Sequence, residues 1–177
     1  IANDIIIPEV RKLIDEGHSV TFRVRGDSMR PFLEDRRDKV VLQPCRKEIC
    51  RGDVLLVEDR PHHYVLHRVV RVEGDKITLK GDGNVNGTEQ CLRENVIGIA
   101  KGFQRKGRTT TDSVAGLKWK AYSLLWMNTQ PLRRILLALY RRVWLKMYPV
   151  RIENQERIRP QGHLRRESRD SRRNRKH

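Results

Sequence analysis

Two residues stand where they could do nucleophilic chemistry together. Ser28 lies in the stretch Val24–Leu33, VRGDSMRPFL, between Gly26-Asp27 and Met29 with Pro31 three residues on. A serine hydroxyl is a weak nucleophile until a neighbouring base takes its proton. The best base in the sequence is His67, in the apolar run YVLHRVVRVEGD, because a neutral imidazole accepts a proton near pH 7 and can return it to a leaving amine. Each residue also has a plainer explanation: Ser28 as a turn serine, His67 as a strand histidine with a hydrogen-bond partner, Asp82 as a turn aspartate bonded locally. Lys76 and Lys80 are alternative bases, although a lysine needs burial to lower its pKa. Met29 and Pro31 are expected to pack under the turn and to stiffen it.

Metal chemistry is not expected. His62, His63 and His67 form a weak cluster, and Cys45, Cys50 and Cys91 lack the close pairs of a zinc site. Three cysteines cannot all pair within one chain, and no apolar leader with a small-residue cleavage site precedes the domain. Both features point to free thiols in a reducing, cytoplasmic setting. No cofactor is implied.

The elements that must position these residues follow from periodicity. Ile5, Ile6, Val10, Leu13 and Ile14 recur at helical spacing between Asp4, a candidate cap, and Gly17, with Pro8 tolerable in the first turn. This predicts a short helix over 1–18. From Ser19 the pattern becomes period two or short apolar runs: VTFRVR, KVVL, DVLLVE, HYVLHRVVRV, KITLK and NVIGIAKG, broken by turns such as Arg51-Gly52-Asp53 and Glu73-Gly74-Asp75. Six such strands predict a mainly β, compact antiparallel domain over 19–103.

Charge divides the chain. Its 38 Lys+Arg and 22 Asp+Glu leave a net +16, yet residues 1–100 hold 17 basic and 17 acidic residues, 101–150 hold 11 and 1, and 151–177 hold 10 and 4. A neutral domain is therefore followed by a cationic third. Residues 104–150 predict a basic amphipathic helical extension: Trp119, Trp126 and Trp144 have interfacial character, and Leu132, Ile135, Leu136, Leu139, Tyr140 and Val143 share a helical face. Such a segment suits either an anionic membrane surface through residues 119–148 or packing on its own domain. It cannot span a bilayer, because only six residues separate its arginine pairs. Residues 151–177 are too charged to bury a core and are expected to be disordered.

In order along the chain stand Gly26-Asp27-Ser28-Met29-Arg30-Pro31, Lys39-Val40-Val41-Leu42, Arg51-Gly52-Asp53-Val54-Leu55-Leu56, His67-Arg68-Val69-Val70-Arg71-Val72-Glu73-Gly74-Asp75, Lys80-Gly81-Asp82-Gly83-Asn84 and Val96-Ile97-Gly98. This series resembles the serine peptidases of the signal-peptidase type, which share a β core with the self-cleaving repressors of the SOS response. The resemblance covers residues 20–103 and implies that Ser28 attacks the scissile carbonyl, that His67 is the base as in the endoplasmic-reticulum and archaeal members, that Asp82 orients the imidazole, and that the Ser28 amide helps hold the oxyanion. Three departures stand out. Gly26 has no side chain to donate to an oxyanion, the second aspartate expected after GDxN is absent so that Glu89 is the available substitute, and no membrane helix precedes residue 20.

The function expected is a serine endopeptidase that trims leader or signal segments of a restricted substrate set, held peripherally on the inner face of the cytoplasmic membrane. A self-cleaving protein of the repressor type is the alternative within the same fold, disfavoured because Ile1–Val20 shows no small-residue pair. The alternative from another class is a basic nucleic-acid- or membrane-binding module with a degenerate peptidase core. Its charge suits phosphates, but its aromatic residues are not on the strands where bases stack.

Overall fold

The computed structural model describes residues 3–106, 108, 110–129 and 132–147. Helix α1, Asn3–Asp15, buries Ile7, Val10 and Ile14 on one face, as their spacing requires. Asp4 and Pro8 both lie within the helix. The helix closes on Gly17, whose φ of 94° lets its own N–H reach the Ile14 carbonyl at 2.9 Å and the His18 N–H reach the Leu13 carbonyl at 2.9 Å.

Every one of the six expected apolar runs is a strand: β1 Val20–Arg23, β2 Lys39–Gln43, β3 Val54–Arg60, β4 His63–Glu73, β5 Lys76–Lys80 and, after an additional strand, β7 Val96–Gln104. Two strands were not foreseen. Strand β6, Glu89–Leu92, buries only Cys91, and β8, Asp112–Ser113, has two residues; neither leaves a periodic trace. The sheet is antiparallel throughout, in the spatial order β1-β2-β7-β3-β4-β5-β6 with β8 on β7.

Both faces of this sheet are covered. One holds Val54, Leu56 and Phe103 against α1 and against Met29, Phe32 and Leu33 of the loop before β2. The other packs Leu55, Val57, Val69, Ile77, Leu79 and Ile99. Strand β3 serves both, which is why Val54–Val57 is an unbroken apolar run with no alternation.

Among the described residues after Gln104, β8 pairs with β7 and the helix that follows packs on the same core. Helix α2, Leu117–Asn128, lays Trp119 and Tyr122 on Phe32, with ring centroids 4.5 and 4.9 Å apart, and Trp119 on Phe103 at 4.9 Å. Trp119 and Trp126 thus face the domain and not an interface with lipid; the Trp144 side chain, like residues 151–177, lies outside the described residues. Helix α3, Arg133–Leu139, continues through a π-helical turn, Tyr140–Trp144, into α4, Leu145–Met147. No described helix is long and apolar enough to cross a membrane.

Tyr122 sits in the aromatic cluster with its hydroxyl buried and without a hydrogen-bond partner among the described residues. Burial, reinforced by Asp82, raises its phenol pKa. A folded-state pKa above the unfolded one stabilises the fold fully below about pH 10, the ordinary tyrosine range, and that stabilisation is lost as pH climbs beyond it. Tyr122→Phe removes an unpaired group that costs roughly 1–3 kcal/mol. In urea unfolding the variant should match or exceed the wild-type midpoint near neutral pH and lose less of it above about pH 10. A lower neutral midpoint would show that the hydroxyl has a partner.

Candidate active site

Between β1 and β2 the chain makes a compact loop that presents Ser28. Val24 N–H bonds the Asp38 carbonyl at 3.0 Å and Arg36 N–H bonds the Val24 carbonyl at 3.0 Å, closing its neck. Gly26, at φ 88°, donates its N–H to Asp35 Oδ1 at 2.8 Å, a conformation that a side chain would oppose. Buried Met29, Phe32 and Leu33 anchor the loop, so Met29 packs beneath it as its type suggested, and the Arg30–Pro31 bond is cis. Ser28 itself is half-buried.

The Gly81–Asn84 loop after β5 lies directly against the serine. Gly83 N–H donates to the Ser28 carbonyl at 2.7 Å. A Cβ on Gly81 would overlap that same carbonyl oxygen, and one on Gly83 would stand 2.6 Å from the Asp27 carbonyl oxygen. Both glycines are therefore needed for the approach of two backbones.

His67 lies in β4, where it pairs with Leu55; Arg68 pairs with Lys80 and Val69 with Leu79. Opposed residues of an antiparallel pair share a face, so His67 stands on the face of Leu55 and Leu79, while Met29, Phe32 and Leu33 of the serine loop pack on the other. Leu79 pairs in turn with Glu89, which brings Glu89 to this face as well. His67 is buried, 3 % exposed, and its Nδ1 lies 2.8 Å from Glu89 Oε2. No hydrogen bond joins Ser28 and His67 among the described residues.

Asp82 is engaged elsewhere. It accepts a bidentate pair from Arg68, Nε to Oδ1 at 2.9 Å and Nη2 to Oδ2 at 2.7 Å, with both residues buried. Arg68 follows His67 in the strand and so projects to the opposite face; the carboxylate that binds it is not the one beside the imidazole. Glu89 occupies the place that the sequence resemblance implied for Asp82. Arg68 also donates through Nη1 to Ser123 Oγ at 2.8 Å and to the Gly52 carbonyl at 3.1 Å, and its guanidinium lies 4.6 Å from the Trp119 ring centroid. Burial opposes its charge, but the charge and hydrogen bonds of Asp82 outweigh burial and raise its pKa.

Compared with known proteins, the chain matches no family model and no curated sequence.

The remaining candidates disperse. Lys80 is on the Arg68 side of the register and donates to the Val85 carbonyl at 3.0 Å; burial, with Arg133 nearby, lowers its pKa. Lys76 is exposed at the start of β5. His63 pairs with Asp59, and the exposed His62 donates its backbone N–H to Glu58 Oε1 at 3.0 Å, so these two do not converge with His67. The three cysteines are free; burial, with Asp59 adding, lifts the Cys91 thiol to about 11.

Several groups that hold the site were not singled out from the sequence. Arg68 is the main one, and a signal existed: an arginine inside a strand apolar on both faces must be buried, and a buried arginine needs a carboxylate. Glu34 and Asp38, both fully buried, left no such trace. Glu34 binds Arg30 at 2.9 Å and Tyr140, while Asp38 binds Arg37 at 2.7 Å and caps the Glu34 N–H at 3.0 Å.

Two substitutions test this scaffold. Arg68→Met leaves Asp82 buried without a partner and should cost about 3–5 kcal/mol in chemical denaturation. Gly81→Ala forces the serine loop away and should cost roughly 1–3 kcal/mol, with a changed Ser28 amide resonance in NMR; an unchanged resonance would mean that the two loops do not touch.

Proposed function

We propose that the protein is a serine endopeptidase of the signal-peptidase type, acting on leader or signal segments of a restricted set of proteins. The observation that carries this reading is the hydrogen bond between the buried His67 and Glu89. With Nδ1–H donated to Glu89, the lone pair of Nε2 is left to accept the Ser28 proton. Ser28 Oγ then attacks the scissile carbonyl, the Ser28 amide receives the developing oxyanion, and the imidazolium, stabilised by Glu89, returns its proton to the leaving amine. Catalytic hydrogen bonds commonly tighten only when substrate is bound, and the scheme requires Ser28 Oγ and His67 Nε2 to come within reach in that complex. Asp82 in this scheme is a positioning residue: it holds the loop whose Gly83 amide grips the Ser28 carbonyl.

Treatment with a fluorophosphonate, followed by mass spectrometry of the adduct, tests the assignment. The label should fall on Ser28 alone. Ser28→Ala should abolish it, His67→Ala should slow it by about 10²–10⁴-fold, and Glu89→Gln should slow it by up to about 10⁴-fold. Lys80→Met should label like the wild type. A folded protein that takes no label at Ser28, or a His67→Ala variant that labels at the wild-type rate, would sink the scheme.

A further inference from the structure

The last described helices are turned the wrong way for a soluble domain. Helix packing normally sends the apolar stripe inward and the charges outward. Here Leu132, Ile135, Leu136, Leu139, Val143 and Met147, three or four residues apart, all face solvent, with Ile135 66 % and Leu139 58 % exposed. The residues of α3 turned inward are Leu137, 3 % exposed, and Arg133, 2 % exposed, whose guanidinium lies 5.3 Å from the Trp126 ring centroid. Helix α2 repeats the pattern: its aromatic residues cover the core while Leu117, Leu124 and Leu125 are exposed. An apolar surface of this extent marks an interaction site.

Charge identifies what it meets. Residues 113–150 contain no aspartate or glutamate, whereas Lys118, Lys120, Arg134, Arg141, Arg142 and Lys146 are all exposed around the leucines. A second copy would bring two cationic surfaces together. The chain's own residues 151–177, with 10 basic and 4 acidic residues, would do the same. We propose that this face docks on an anionic lipid surface, the leucines entering the acyl boundary and the lysines and arginines meeting the headgroups. The face is tied to the candidate active site: Arg133 donates to the Asn84 carbonyl at 3.4 Å, Arg134 to Asn86 Oδ1 at 3.1 Å, and Tyr140 to Glu34. Docking therefore brings the Ser28 loop to the membrane surface. The lipid contact does not depend on the chemistry assigned to Ser28, and a failure of labelling leaves it standing.

Co-sedimentation of the full chain with phosphatidylcholine vesicles containing roughly one-third phosphatidylglycerol tests the proposal. The protein should pellet with these vesicles, much less with phosphatidylcholine alone, and in part even at about 0.5 M salt, where the Debye length is only ~4 Å. Ile135→Glu/Leu139→Glu should weaken binding by about tenfold or more, and so should Leu124→Glu, a separate variant on α2; circular dichroism checks that each is folded. Arg141→Gln/Arg142→Gln should weaken it at low salt. A wild type that stays in the supernatant overturns the proposal, as do folded glutamate variants that bind undiminished, which would assign binding to the basic residues 151–177. A lipid-free dimer dissolved by the same glutamates overturns it in favour of self-association.

Discussion

A charge can be buried in a protein only if it is paired, and the pair formed by Arg68 and Asp82 is where this structure meets that constraint. The guanidinium joins three separate parts of the chain: the Asp82 loop after β5, the Gly52 carbonyl before β3, and α2 through Ser123 and the ring of Trp119. Loss of either charge would leave the other stranded in a dry site. The pair therefore ties the helical segment to the sheet, and through the adjacent Gly83 amide it also sets the position of Ser28.

Strand β4 does two things because successive side chains of a strand point to opposite faces. His67 projects to the face that carries Leu55, Leu79 and Glu89. Arg68 projects to the other, where α2 covers it. A single dipeptide thus supplies the candidate base to one side and the structural cation to the other, and one carboxylate is assigned to each. The geometry forbids Asp82 from serving both while its two oxygens are held by Arg68.

The C-terminal helices show the same division between scaffold and surface. Trp119 and Tyr122 brace Phe32, four residues after Ser28, and Trp126 stacks on Tyr122, so α2 supports the serine loop from below. The leucines on the outer side contribute nothing to that support, and their exposure is unexplained by the fold alone.

Six strands and the N-terminal helix were legible in the sequence, because burial on a pleated or helical surface imprints its period directly on residue type. Strand β6 was not, since an edge strand with one buried residue carries too little pattern. The amphipathic character of residues 132–147 was also legible, but a period shows only that a stripe exists and not which way it faces. That direction was decided by Arg133 packing on Trp126 and Asn84. The partner of His67 was likewise a tertiary decision: Asp82 and Glu89 are both carboxylates downstream of the imidazole, and only the registers β4–β5 and β5–β6 put Glu89 on its face and leave Asp82 to Arg68. Sequence determines which side chains are available for pairing; strand parity and register, which depend on contacts between distant segments, determine which of them meet.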